Sequence, residues 1–163
     1  MTTAQTKKQI VGLVASAEAL TPSQLVPDLP PTELSGDEPE WHDYELQRWD
    51  IGEQIRQLLV ENPSLRKDPE LQEAFLRISL NRNATQDRQS FIMLLGYTCC
   101  RSHAAKLISQ LDDEGVVGHV ISTITKMRTR DFMEQIRPFQ EHKRTWIRNE
   151  AKRYCNRNVD RGA

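Results

Sequence analysis

The spacing of apolar residues from position 43 onward constrains the fold of this chain more than any other feature. Apolar side chains recur every three or four residues there, as on one face of an α-helix. One such helix begins at Asp68-Pro69-Glu70, where an acidic cap, a proline and a second acid form a helix-start signal. No segment combines the alternation of a strand with a hairpin turn. The pattern predicts an all-α fold with about seven helices after residue 43.

The most apolar part of the chain is the five-residue run Phe91–Leu95. It lies in a segment, Asp87 to Cys100, that we expect to form one helix. A helix that is apolar on nearly every side is buried at the centre of its domain. Leu94, in the middle of the run, is therefore predicted to be a core residue.

Proline divides the chain ahead of this helical region. Five of the eight prolines lie between Pro22 and Pro39, where they prevent a long helix or a central strand. The predicted organisation has four parts. They are an N-terminal amphipathic helix over 1–20, a Pro-rich acidic connector over 21–40, a helical domain over 41–157 and a flexible tail over 158–163.

The helices from residue 70 onward can be paired as short hairpins, and the last pair has a recognisable pattern. Ile136-Arg-Pro-Phe139 leads into Trp146-Ile147-Arg148, which is followed by a small residue at Ala151. This order resembles the second half of a HEAT-type helical repeat. The resemblance implies a short stack of helical hairpins with extended surfaces for binding other macromolecules. An irregular helical bundle is the alternative architecture.

Neither membrane insertion nor secretion is expected from this sequence. The longest apolar run holds five residues, far below the roughly 18 that a membrane-spanning helix needs. The apolar stretch after Lys7-Lys8 is shorter than the core of a secretory signal and is interrupted by Gly12. Three cysteines, an odd number, fit a reducing compartment rather than a disulfide framework. We therefore expect a cytoplasmic protein.

The sequence contains no recognisable catalytic, cofactor or metal-binding motif. It has no phosphate-binding glycine loop, no nucleophile elbow and no paired histidines at metal-binding spacing. Cys99, Cys100 and His103 are close in sequence, but Cys155 is the only other cysteine, so the two adjacent cysteines are interpreted as small core residues. No cofactor and no metal site are predicted, and an enzyme is not the favoured class.

Charge is distributed unevenly, and the acidic end carries the first candidate site. Residues 1–50 contain nine acids and three bases. Aromatic side chains stand among these acids where the connector meets a helix, an arrangement typical of protein-binding surfaces. The candidate partner-binding residues are Asp37, Glu38, Glu40, Trp41, Asp43 and Tyr44. In the alternative interpretation the aromatics close one end of the core and the acids favour the first turn of the helix.

The basic end carries the second candidate site. Residues 128–163 contain ten bases and five acids. The candidate nucleic-acid-binding residues are Arg144, Arg148, Lys152 and Arg153 on the last helix. Cations also favour helix C-termini and cover apolar edges, which explains them without a ligand.

The favoured function is a protein-binding adaptor or inhibitor, such as an immunity-type protein that caps a partner with a basic surface. The alternative is a HEAT-like protein that contacts nucleic acid through its last helix.

Overall fold

The predicted all-α fold class is confirmed by the structure, a computed structural model that describes residues 1–159. Within this range there is no strand, only an isolated bridge between Leu29 and Glu40. The first four helices are α1 Thr3–Leu20, α2 Asp43–Glu61, α3 Pro69–Leu80 and α4 Gln89–Leu94. The next four are α5 Ala104–Leu107, α6 Val117–Met127, α7 Met133–Ile136 and α8 Thr145–Val159. Short 3-10 helices lie between them at Pro63–Lys67, Gln86–Arg88, Thr98–His103, Ile108–Gln110 and Arg137–Glu141.

The chain divides into two compact units, Met1–Phe91 and Ile92–Ala163. The division falls inside residues 41–157, which the sequence pattern grouped into a single helical domain. Helix α1 belongs to the first unit because it packs against α2 and α3. Of the tail predicted over 158–163, the first two residues continue α8 and residues 160–163 lie outside the described residues.

The first unit is built on the apolar stripes of its three long helices. Ile10 of α1, Ile55 of α2 and Phe75 of α3 are each at most 2 % exposed. Helix α3 begins where the sequence predicts it, because the Asp68 carboxylate accepts hydrogen bonds from the backbone amides of Glu70 and Leu71 at 3.0 and 3.2 Å. Packing of these stripes fixes the start of α2, where the connector ends.

The second unit is organised around α6, which packs against α8. Trp146 lies so close to Gly118 that a Cβ atom placed there would be 2.1 Å from the indole ring. Helix α6 ends at Arg128, which adopts the left-handed conformation with φ of 59°. In residues 1–159 no other non-glycine residue has a positive φ.

Two details of the predicted helices are wrong. The helix expected over Asp87–Cys100 ends at Leu94, and the chain passes through Gly96 into the 3-10 helix that begins at Thr98. Cys99 is exposed on that helix, so it is not a core residue, whereas Cys100 is buried. The core prediction for the apolar run itself holds, since Leu94 is 3 % exposed. The HEAT-type resemblance stays a prediction.

Candidate functional site

The second half of the Pro-rich connector forms a closed loop rather than an extended linker. We call residues 27–42 the acidic loop. Its two ends are joined by the bridge between Leu29 and Glu40 and by a hydrogen bond of 3.0 Å between His42 Nε2 and the Pro27 carbonyl oxygen. The Thr32 hydroxyl donates a further hydrogen bond to the Glu40 carboxylate. These contacts hold the loop as a compact surface feature.

The tip of the acidic loop is a hydrogen-bonded turn. The Thr32 carbonyl oxygen accepts hydrogen bonds from the Ser35 and Gly36 amides at 3.2 and 3.1 Å, and the Ser35 hydroxyl accepts one from the Thr32 amide at 2.9 Å. Gly36 has a φ of 65°, a left-handed conformation that glycine adopts without steric cost. The turn therefore fixes the backbone on both sides of Leu34.

Leu34 is the most exposed large apolar side chain of the acidic loop. It is 98 % exposed, and Leu25, just ahead of the loop, is 65 % exposed. Exposed acids flank it in sequence at Glu33, Asp37 and Glu38. Leu34 is thus an apolar side chain that an ordered turn holds in solvent, with exposed acids on both sides of it in sequence.

The structure places the six predicted partner-binding residues in two groups. Asp37, Glu38 and Asp43 are exposed. Glu40 and Trp41 are half-buried, and Glu40 is engaged by Thr32 inside the loop. Three of the predicted acids are thus exposed to solvent, whereas Glu40 is held within the loop by Thr32.

Tyr44, the sixth predicted residue, faces the interior of the first unit. The Tyr44 ring stacks on the His42 ring with centroids 5.1 Å apart. The guanidinium of Arg48, one turn further along α2, lies 5.5 Å from the centroid of the Tyr44 ring. The Tyr44 hydroxyl is buried and has no hydrogen-bond partner among residues 1–159. Burial, together with the neighbouring charge of Glu45, raises the pKa of Tyr44. The side chain therefore anchors the start of α2.

Beneath Tyr44 lies an ion pair between Arg48 and Asp87, both fully buried. Arg48 Nε donates to Asp87 Oδ2 at 2.6 Å, and Nη2 donates to Oδ1, so the contact is bidentate. The Thr85 hydroxyl donates to the buried Glu45 carboxylate, which also accepts the His42 amide at 2.7 Å. This network ties the end of the acidic loop to the 3-10 helix Gln86–Arg88.

Three of the predicted nucleic-acid-binding residues lie on α8, Arg144 lies one residue ahead of it, and the four do not all face solvent. Arg148 donates to the carbonyl oxygens of His142 and Lys143 at 2.7 and 2.9 Å, so its guanidinium holds the chain ahead of the helix. Arg144 is half-buried, while Lys152 and Arg153 are exposed. Arg153 also pairs with Glu150 at 3.0 Å. Arg144, Arg148 and Lys152, spaced four residues apart in the sequence, therefore do not form one continuous exposed surface.

Cys100 is buried in the second unit beside Cys99. Burial and the neighbouring Cys99 raise the pKa of Cys100 to about 12, which keeps it a thiol at neutral pH. No group of three or more histidine, cysteine or acidic side chains is arranged to hold a metal ion in residues 1–159. Among the described helices, none has the length and apolar character needed to cross a membrane.

Comparison with known proteins gives no relative: no family model, no curated protein and no solved structure matches this chain.

Two features of the site had not been predicted. Leu34 carries a sequence signal, since it is a leucine between acids in a segment without helical periodicity. The sequence also indicates that Arg48 is buried. It lies three and seven residues before Ile51 and Ile55, a spacing that puts all three on the buried face of one helix. Its partner Asp87 stands in a polar break and has no comparable signal.

Proposed function

We propose that this protein is a protein-binding module, an adaptor or an inhibitor, that engages its partner through the acidic loop. The observation that carries the proposal is the nearly complete exposure of Leu34 on a hydrogen-bonded turn. The partner has an apolar cleft that receives Leu34 and a rim of Lys or Arg that faces Glu33 and Asp37. An immunity-type inhibitor of a basic protein is one form that this function can take.

The excess of acidic residues in the first unit favours a partner with a basic surface. Unit Met1–Phe91 contains 15 acidic and 9 basic residues, so its field favours an approaching basic surface. Exposed charges of this kind act mainly on the rate of encounter, while a buried apolar anchor acts mainly on dissociation. We therefore expect Leu34 to control the lifetime of the complex and the acids to control its rate of formation.

The free thiols Cys99, Cys100 and Cys155 support a cytoplasmic setting for this interaction, because reducing compartments keep thiols unpaired.

Site-specific photo-crosslinking tests the proposal. A photoreactive amino acid replaces Leu34 in one variant and, as the matched control, Val60 in another, since Val60 is 50 % exposed on α2 of the same unit. In nuclease-treated native lysate we expect a protein adduct from position 34 that is absent from position 60 and decreases with added salt. Identical adducts from both positions, or none from position 34, would contradict the proposal.

The purified partner then allows a quantitative test. Leu34→Ala should weaken binding by about tenfold or more, as for an anchor that fills a pocket, mainly through faster dissociation. Val60→Ala should change the affinity by less than about twofold. Equal effects of the two substitutions would show that the loop tip is not the contact.

A further inference from the structure

A polar pocket of about 170 Å³ lies where the C-terminal end of α6 meets the last turns of α8. Its volume corresponds to about five water molecules at roughly 30 Å³ each, which is enough for a tetrahedral oxyanion. Three arginines line it, namely Arg128, Arg130 and Arg157. All of its lining residues belong to unit Ile92–Ala163.

Among the described residues, 1–159, no carboxylate neutralises the arginines of this pocket. Within residues 1–159 no ion pair joins an acidic side chain to Arg128, Arg130 or Arg157. Arg157 Nη1 donates to the Thr125 carbonyl oxygen at 3.3 Å, which fixes its guanidinium across the end of α6. Three guanidinium groups that have no carboxylate partner in the described part of the chain create a local preference for an anion around one pocket.

The backbone at Arg128 adds an independent observation. This residue occupies the left-handed position that ends α6, where glycine is the usual residue and a side chain costs free energy. Strained conformations of this kind cluster at functional sites. At this strained position the chain has an arginine, and its side chain lines the pocket.

Two buried hydroxyl groups complete the lining. Tyr154 is 1 % exposed, and Thr129 is 5 % exposed. The Tyr154 hydroxyl accepts a hydrogen bond from the Phe132 amide at 3.2 Å and lies 3.5 Å from the Thr129 hydroxyl. The two hydroxyl groups share one hydrogen bond in which either can donate, so one of their two protons remains for a ligand. The pocket thus offers one neutral hydroxyl donor beside its three cations.

We propose that this pocket binds the phosphate group of a small phosphomonoester. Guanidinium groups match the oxygen geometry of phosphate, and a dianion balances most of the charge of three arginines. A single pocket of this size favours one terminal phosphate over a nucleic-acid strand, which requires a groove that follows successive phosphates.

A purely structural role for the arginines makes a different prediction. Cations near the C-terminal end of a helix are favoured by its dipole, and Arg157 already serves this purpose at Thr125. If Arg128 and Arg130 did the same, removing them would lower stability without changing any ligand affinity. Arg128→Gly separates the roles, since it relieves the backbone strain while it removes a guanidinium.

The test is an NMR titration of the full chain with ribose 5-phosphate, inorganic phosphate and a single-stranded oligothymidylate at constant ionic strength. We expect saturable binding of ribose 5-phosphate, with amide shifts centred on residues 125–130 and 154–158. Arg128→Gly and Arg130→Gln should each lower this affinity by about tenfold or more. Arg128→Gly should at the same time raise the melting temperature.

Arg153→Gln is the matched control, since it removes an exposed arginine from α8 outside the pocket and should change the affinity by less than about twofold. The proposal is overturned if neither phosphate compound saturates, or if Arg153→Gln weakens binding as much as Arg130→Gln. It is also overturned if the oligonucleotide binds more tightly than ribose 5-phosphate, which would assign the surface to nucleic acid. Saturation by inorganic phosphate alone would indicate a non-specific anion site and would overturn it as well.

Discussion

At the scale of single residues, Arg48 and Asp87 show how a charged pair is accommodated in an apolar core. Two ions removed from water lose their hydration, and the loss is offset only when every available oxygen and N–H finds a partner. Here two parallel hydrogen bonds join the pair, while Arg48 Nη1 has no partner within residues 1–159. The pair is thus better suited to fixing the register of α2 against the 3-10 helix Gln86–Arg88 than to adding stability.

A double-mutant cycle tests this interpretation. Asp87→Leu should lower the free energy of unfolding by about 3–5 kcal/mol, because it leaves the Arg48 charge buried and unpaired. Adding Arg48→Met should recover a large part of that loss, since both charges are then gone. Urea denaturation of the natural chain, Asp87→Leu, Arg48→Met and the double variant measures the coupling free energy. Additive losses would show that the two side chains act independently.

His119 makes stability depend on pH through its burial in the second unit. Its ring packs edge-on against Trp146 with centroids 5.1 Å apart, and Nδ1 is buried with no hydrogen-bond partner in the described residues. Burial, assisted by the charge of Lys126, lowers the pKa of His119 to about 4. An unfolded chain protonates this histidine near pH 6.5, so acid favours the unfolded state.

The free energy of unfolding should therefore be highest above about pH 6.5 and fall as the pH drops towards 4, with no further loss from this group below that. The total loss is on the order of 3 kcal/mol. Denaturant melts of the natural chain and of His119→Phe between about pH 4 and 7.5 isolate this contribution. Parallel pH profiles for the two proteins would rule out His119 as the source.

At the scale of elements, the helices with complete start and stop signals were predictable and the others were not. Asp68-Pro69 marks the first residue of α3, and Asn62-Pro63 marks the end of α2, because caps and prolines act through local geometry. The chain between Thr98 and Gln110 instead alternates between 3-10 and α geometry. This alternation is set by packing that no local pattern encodes.

The cap of α3 can be tested alone. Asp68→Ala should lower stability by about 1 kcal/mol, since it removes an acceptor from two backbone amides. Asp68→Asn should retain most of the cap but lose the ion pair with Lys7, which is 2.9 Å from the carboxylate. Thermal melts at low and high salt separate the two effects. An equal loss for both variants would assign the effect to charge rather than to capping.

The candidate site was less predictable than the helices that carry it. Acids at 37, 38 and 43 are exposed as expected, because charged side chains rarely leave water. The inward orientation of Tyr44 and the capture of Glu40 by Thr32 depend on contacts across the loop. Such contacts join residues through the fold rather than through their spacing. The pocket between α6 and α8 was missed for the same reason.

At the scale of the whole molecule, the two units carry opposite charge. Unit Met1–Phe91 has 15 acidic and 9 basic residues, and unit Ile92–Ala163 has 8 acidic and 13 basic residues. Because the charges of the two units nearly cancel, the net charge of the whole chain is only −1. The two proposed binding activities therefore have opposite electrostatic preferences and reside in different units.

Charge reversal in one unit should leave binding by the other unchanged. Replacing the exposed acids Asp37, Glu38 and Asp43 with Lys should slow association with the protein partner, and less so at high salt. Replacing Lys152 and Arg153 with Glu should leave that association rate within about twofold. Stopped-flow or surface-plasmon measurements with the purified partner give both rates. The reverse result would place the contact with the protein partner on α8 instead of the acidic loop.

The closed ends of the acidic loop have a consequence for the thermodynamics of recognition. A flexible segment that orders only when it binds loses conformational entropy at that moment, roughly 1–2 kcal/mol for each residue fixed. The contacts between Pro27 and His42 and between Thr32 and Gly36 meet this cost during folding instead. A peptide copy of residues 27–42, cut free from α2, would consequently bind far more weakly than the intact chain, although it contains every residue that touches the partner.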